Sequence, residues 1–460
     1  MSVKDALERA TGWPSALRRF GEKPVPSRGG WLFTLGSVAL FLLLVQFFTG
    51  TLLATAYAPT PDHARASVAA IERKIPAGSL LRGLHHWGAT LLVIFVVVHL
   101  ARVLVSGAYR SPRQVNWWIG IALLLLVLAF AFTGYLLPWD QKGYWATVIG
   151  VRIAGSVPLL GGITTRLLTG SSGVGAIALT RFTAIHFLLL PAAAVLLAGL
   201  HLALLRRHGH AGLPGDASPR EHFYPKQLAR DMAASLVVFG ILLALAHFLP
   251  AQLEATADPS DSSYVPRPEW YFLSLFQLLH YFHGAWQVVG TAVVPAAIVS
   301  FFAALPLLDR REDRRPESRR IWIASSAAIG MGVAALTWIA ASETPSRGSR
   351  FAISEPPPPP SAFRDSDTLA NWDPQSFSPA ILRGGKLVAT KKCLECHVIC
   401  GEGNGKGLEL KHVAGRRDKA LLVAHFKDPQ DLSPHSKMPP YDDLPERNLN
   451  EIADYLLALP

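Results

Sequence analysis

Cysteine is nearly missing from this chain: three occur in 460 residues, and all three fall between positions 393 and 400. The long apolar part before them has no thiol with which to hold a group covalently. Acidic residues are also short, 33 Asp and Glu against 44 Lys and Arg, leaving a net charge of +11. Such an excess can mark a nucleic-acid protein, but here the basic residues are spread through loops between apolar runs, which excludes that class. The opening "MSVKDALERATGWPSALRRF" lacks the apolar core and cleavage site of a signal peptide. Residues 1–30 therefore read as an amphipathic segment on the cytoplasmic membrane surface. No internal repeat occurs at a solenoid period.

What is abundant is apolar sequence. Seven runs, roughly 31–55, 80–105, 117–137, 178–205, 230–250, 285–308 and 321–341, interrupt the polar segments. Each is near the twenty residues or so that cross roughly 30 Å of hydrocarbon. With the N-terminus inside, the segments 1–30, 106–116, 206–230 and 309–320 hold 19 Lys and Arg, whereas 56–79, 138–177 and 251–284 hold seven. That bias obeys the positive-inside rule, and an odd number of spans places the C-terminus outside. The Pro-rich stretch 346–375 then reads as a stiff linker to a soluble domain at 376–460.

Ionisable groups inside hydrocarbon are costly and mark function. In the second run, His85 and His99 are 14 residues apart, which on a helix leaves them about 40° from eclipsed and about 21 Å apart along the axis. His86 points elsewhere. In the fourth run, His186 and His201 are 15 apart, with Pro191 between them able to bend the helix and absorb part of the larger offset. Pairing across a bundle puts His85 with His186 toward the outside and His99 with His201 toward the inside, each pair able to give both axial ligands of one haem. The plainer alternative for any one histidine is a hydrogen-bonded interhelical contact. Four at matched depths favour the haem reading. Gly36 and Gly50, and Gly120 and Gly134, are also 14 apart and would clear room at the same two levels. Arg82 and Arg181 near the outer pair, with Arg113, Arg206 and Arg207 near the inner one, suit haem propionates, or else simply anchor helix ends.

These features, with the stretches "RGLHHWGATLLVIFVVVH", "GYLLPWDQKGYWA", "LTRFTAIHFLLLP" and "RPEWYFL", resemble the cytochrome b subunit of cytochrome bc complexes over residues 28–342. The histidine spacing and span count resemble the chloroplast and cyanobacterial branch, with its four-helix and three-helix polypeptides joined in one chain. Relatives in that branch hold an extra haem on a first-span cysteine. Thr34 stands at that place here, so no such haem is expected. The resemblance implies a quinol oxidation site at Pro268, Glu269 and Tyr271, with Gly143 and Tyr144 forming the opposite wall. Glu269 beside an aromatic run is the expected proton acceptor, its apolar surroundings raising its pKa, although Pro-Glu can also simply begin a helix. Asp231 matches a carboxylate at the inner quinone reduction site, or else is a solvated surface acid.

In the C-terminal domain, Cys393-Leu-Glu-Cys396-His397 is the C-x-x-C-H pattern of covalent haem c attachment, with His397 as one axial ligand. A zinc site would need further ligands. Met438, 41 residues downstream, is the expected opposite ligand, with His412, His425 and His435 as rivals. "LNEIADYLLALP" resembles the terminal helix of small cytochromes c, and Cys400 is left without a role.

The fold expected is all-α: a polytopic membrane bundle of about seven helices, four of them forming a dihaem bundle at 31–210 and three more at 211–345, followed by a small α-helical cytochrome c domain. The implied function is the cytochrome b/c fusion subunit of a quinol:cytochrome c oxidoreductase. It would carry two haem b and one haem c in a bacterial cytoplasmic membrane. Its expected partners are quinone, membrane lipid, a Rieske iron–sulfur protein, a downstream cytochrome c or terminal oxidase, and a second copy of itself. The rival reading is a dihaem anchor that only relays electrons for a dehydrogenase.

Overall fold

Apolar runs without internal polar breaks become helices because, in lipid, a helix is the open-chain form that satisfies every backbone group from within. A computed structural model describes residues 2–3, 9–158, 160–170, 173–215, 219–257, 264, 267–282, 284–310, 313–342, 379–391, 393–399, 402–403, 410, 413, 417–432, 436 and 438–459. The linker 346–375, Cys400, His412 and His435 lie outside the described residues.

The helices of the larger unit are α1 (Trp13–Gly21), α2 (Gly30–Ala54), α3 (Ala64–Lys74), α4 (Gly78–Val105), α5 (Gln114–Tyr135), α6 (Gln141–Gly155), α7 (Gly161–Thr169), α8 (Ala176–Ala184), α9 (Leu190–His208), α10 (Leu228–Phe248), α11 (Leu273–Tyr281), α12 (Val294–Leu308) and α13 (Arg320–Ser342). Seven helical stretches among the described residues are long and apolar enough to cross a membrane, each overlapping one of the seven apolar runs. The chain is an integral membrane protein. Residues 138–177, expected as a loop, contain α6 and α7. A two-stranded antiparallel pairing joins β1 (Pro24–Pro26) to β2 (Arg220–His222), tying the segment after α1 to the approach to α10.

Helix α2 packs along α4, and α10 lies against both, while α9 packs along α5. Lipid is as apolar as leucine, so close approach of small residues replaces water exclusion as the main packing force. At Gly83, for example, an added Cβ would stand 3.0 Å from that of Ala246 on α10. Large side chains such as Phe48, Leu196, Leu236 and Trp338 remain exposed on the outer faces, as expected for surfaces that meet lipid.

The fourth span departs from a simple Pro kink. Ile185–Leu189 form a π-helical turn between α8 and α9, directly before Pro191, and the Leu190 N–H donates to the Ile185 carbonyl. Proline has no N–H and crowds the carbonyl four residues back, and the wider turn removes that conflict. A π turn holds one residue more than an α turn, so the 15-residue spacing of His186 and His201 acts as 14, the same about 40° offset as on α4.

In the smaller unit, α14 (Pro379–Thr390), α15 (Lys419–Lys427), α16 (Pro429–Leu432) and α17 (Glu446–Leu457) enclose a core that includes Val388, Leu422, Phe426, Leu449, Ile452 and Leu456. Helices α14 and α17 cross closely. The crossing requires glycine at 384, where an added Cβ would fall 2.0 Å from the Glu451 carbonyl oxygen. Lys419 and Asp454, 2.8 Å apart, pair α15 with α17 on the surface.

Candidate functional site: two tiers of paired histidines and a carboxylate turn

The four intramembrane histidines come together as two pairs. His85 and His186 have ring centroids 6.4 Å apart, and His99 and His201 have theirs 6.5 Å apart. Two imidazoles sharing one metal ion at about 2 Å from each nitrogen set their centroids about 6.3 Å apart. No group of three or more His, Cys, Asp and Glu among the described residues is arranged to hold a bare metal ion. A pair with no third protein ligand suits an iron whose other positions are filled by a macrocycle, so the residues present fit haem.

Each glycine backs one of these rings. An added Cβ at Gly50 would lie 3.0 Å from His85 Cε1, at Gly134 2.8 Å from His186 Cε1, at Gly36 3.1 Å from His99 Cε1, and at Gly120 3.5 Å from His201 Cε1. Gly50, Gly134 and Gly36 thus make room for the imidazoles themselves, whereas at Gly120 a Cβ would be in ordinary contact. At the first tier, Thr49 Oγ1 lies 2.9 Å from His85 Nδ1, and Thr133 Oγ1 lies 3.0 Å from His186 Nδ1. The threonines were missed in the sequence. Their signal was there in the recurring doublets Thr49-Gly50 and Thr133-Gly134.

The arginines are less uniform. Arg82 is paired with Glu72 and donates to the carbonyls of Ala251 and Gln252, and Arg181 donates to the carbonyls of Arg166 and Leu167. Arg113 donates to the carbonyls of His208 and Gly209, Arg206 lies over the Phe223 ring, and Arg207 is exposed. Arg102, on α4, caps the Phe33 ring at 4.6 Å, and His210 packs edge-on against the same ring. Burial, with Arg206, Arg102 and Arg113 nearby, holds His210 down to about 4, so it is neutral at pH 7. Asp231 is buried rather than solvated, and accepts a hydrogen bond from Gln227, whose amide also donates to the Gly30 carbonyl.

At the His85–His186 end, Pro268 and Glu269 lead into a 3-10 turn, Trp270–Phe272, that starts α11. Opposite stands the N-terminus of α6. Asp140 caps that helix by accepting from the Gly143 N–H. Gly143 has no room for a side chain, since a Cβ would meet the Tyr135 carbonyl at 2.3 Å. Tyr144 is buried between Trp139 and Trp145. The two stretches meet through Lys142, whose Nζ lies 2.7 Å from Glu269 Oε1. A cation therefore faces the carboxylate, in addition to the aromatic surroundings expected from "RPEWYFL". Tyr271 packs against Trp270 and Phe272, and burial together with the Glu269 charge pushes its phenol above the ordinary range.

In the smaller unit, the His397 N–H donates to the Cys393 carbonyl, which closes the C-x-x-C-H turn on itself. Cys393 and Met438 both pack against the same apolar core. His425 stands near His397.

Fold and site define a membrane helical bundle with two stacked tiers of facing imidazoles. The family profile Cytochrome b/b6/petB matches residues 20–209, and Cytochrome b(C-terminal)/b6/petD matches residues 256–354. A cytochrome b of Rickettsia conorii is 34% identical over 315 residues, covering 66% of this chain and 78% of the relative. A cytochrome bc complex cytochrome b subunit of Chlorobaculum thiosulfatiphilum is 35% identical over 264 residues, covering 56% of this chain and 61% of the relative. A solved structure described as a hyperthermophilic respiratory Complex III shares the fold, with a TM-score of 0.67 at 24% identity, over 75% of this chain and 92% of that one. The chain belongs to the cytochrome b family.

Proposed function

We propose that the chain is the cytochrome b subunit of a bc-type quinol:cytochrome c oxidoreductase, fused to its own cytochrome c domain. The observation that carries this is the pair of imidazole tiers, with centroid separations of 6.4 and 6.5 Å. When bound, haem supplies one-electron carriers at two depths of the membrane. His85, His99, His186 and His201 would hold those carriers, and Cys393, Cys396, His397 and Met438 would hold the third, covalent one.

Quinol binds on the extracytoplasmic side between the Glu269 turn and α6. Glu269 takes the hydroxyl proton, Tyr271 and Pro268 line the pocket, and Gly143 and Tyr144 wall it on the other side. One electron leaves to a Rieske iron–sulfur protein, and haems held at the His85–His186 and His99–His201 tiers would offer the other a path across the bundle. Quinone is reduced on the cytoplasmic side near Asp231, with arginines 102, 113, 206 and 207 supplying positive charge there. Protons are released outside and taken up inside. With haem bound at Cys393, Cys396, His397 and Met438, the fused domain would take the Rieske electron and pass it to a downstream cytochrome c or terminal oxidase. The assembly is a homodimer in a bacterial cytoplasmic membrane.

Glu269→Gln tests the enzyme reading. Losing a positioned proton acceptor costs about 100-fold or more, so quinol-dependent reduction of cytochrome c should fall by that factor with both b haems still bound. Unchanged turnover with intact pigment would instead identify a dihaem relay serving a dehydrogenase.

A further inference from the structure

The two tiers repeat one pattern but differ in the residue before each glycine. Thr49 directly precedes Gly50 and Thr133 directly precedes Gly134, whereas the corresponding places 14 residues away, before Gly36 and Gly120, hold Leu35 and Ile119. At the His85–His186 tier each ring therefore meets a hydroxyl through Nδ1. At the other tier, the Nδ1 atoms of His99 and His201 are buried and have no hydrogen-bond partner among the described residues. The Asn116 backbone stands by His201 as the Phe130 backbone stands by His186, so the hydroxyls are what distinguish the two tiers.

The threonine protons are already committed. Thr49 Oγ1 donates to the Val45 carbonyl at 2.7 Å, and Thr133 Oγ1 donates to the Ala129 carbonyl at 2.8 Å. Each hydroxyl consequently has only lone pairs to offer the histidine, so it accepts from Nδ1–H and leaves Nε2 as the free, ligating nitrogen. A hydrogen bond at the far nitrogen also makes an imidazole a more basic ligand. A stronger donor favours the more positively charged, oxidised state of the metal it holds.

We infer that Thr49 and Thr133 are positioning residues that fix the tautomer of His85 and His186 and make a haem held between them harder to reduce. Leu35 and Ile119 withhold that effect from the other tier. The inference rests on the proposed function, since it takes each tier to bind haem. It uses only the placement of hydroxyls on one side of an otherwise repeated pattern.

Optical redox titration of the purified full chain tests it, with the component lost in His186→Ala marking the His85–His186 tier. A net hydrogen bond is worth about 1 kcal/mol. On that scale Thr49→Val should raise the ratio of reduced to oxidised pigment at fixed potential about fivefold. Thr49→Val with Thr133→Val should raise it about thirtyfold, an upward shift of about 87 mV for a one-electron couple at about 59 mV per factor of ten. Thr49→Ser, which keeps the hydroxyl, should leave the component near its original place. Leu35→Thr supplies the converse and does not disturb the first tier: the other component should move down. Movement of the marked component alone, with the converse shift in Leu35→Thr, supports the assignment. Two components that both stay put, or that move together by the same amount, overturn it while leaving the haem reading intact. A chain that binds no b-type haem overturns the haem reading, and this inference with it.

Discussion

A chain carrying His186→Ala binds one extractable b haem in place of two. The prediction is large because the geometry leaves no substitute: among the described residues no third His, Cys, Asp or Glu completes either tier. Glycine at 134 was needed to admit this ring, so alanine at 186 leaves a gap beside Gly134 and a Thr133 hydroxyl that has lost its imidazole partner. The His99–His201 tier lies about 21 Å further along α4 and should keep its pigment. Extraction of the non-covalent haem, counted per covalently bound haem, reads the result. A variant that retains both would separate His186 from haem binding.

The second large effect concerns stability. Arg319, at the start of α13, is fully buried, with 0% exposure, and its Nε lies 2.8 Å from the equally buried Asp309 carboxylate at the end of α12. Arg319 also donates to the carbonyls of Leu104 and Val105 and to the Tyr109 hydroxyl, while Tyr109 donates to Asp309 at 2.6 Å. The network joins the end of α4 to the α12–α13 connection, and so ties the four-helix part of the bundle to the three-helix part. Asp309→Ala strands a buried guanidinium, which should cost about 3–5 kcal/mol. Thermal unfolding of the detergent-solubilised protein should show a markedly lower midpoint. Replacing both partners with apolar residues, as Asp309→Leu with Arg319→Met, should recover most of the loss, because a buried pair is weakly stabilising once its desolvation is counted. A midpoint unmoved by Asp309→Ala would mean that water reaches Arg319 and the junction is held by packing alone.

Much of this was legible in the sequence for simple reasons. Hydrocarbon thickness fixes a span length, so seven apolar runs announce seven helices. The α-helical repeat fixes depth and face, so His85 and His99 announce two levels on one side of α4. What stayed hidden depends on contacts between distant segments. The π turn at Ile185–Leu189 comes from the conflict of Pro191 with the preceding turn, and spacing alone gave only a residual offset to be absorbed. The Lys142–Glu269 pair joins residues 127 apart in sequence, and nothing in "WDQKGYW" indicates where the ammonium points. Asp231 could be a surface acid until the helix packing buries it. The Asp309 and Arg319 pair was hidden inside "DRREDRRPESRR", whose charges read as a solvated loop.

The most direct measurement is the pyridine haemochrome spectrum of the purified chain. Two imidazole tiers and one C-x-x-C-H turn predict two acid–acetone-extractable b haems for each haem that stays bound to the polypeptide. A ratio of one extractable haem or none would contradict the pairing of His85 with His186 and of His99 with His201 as the basis of the protein's function.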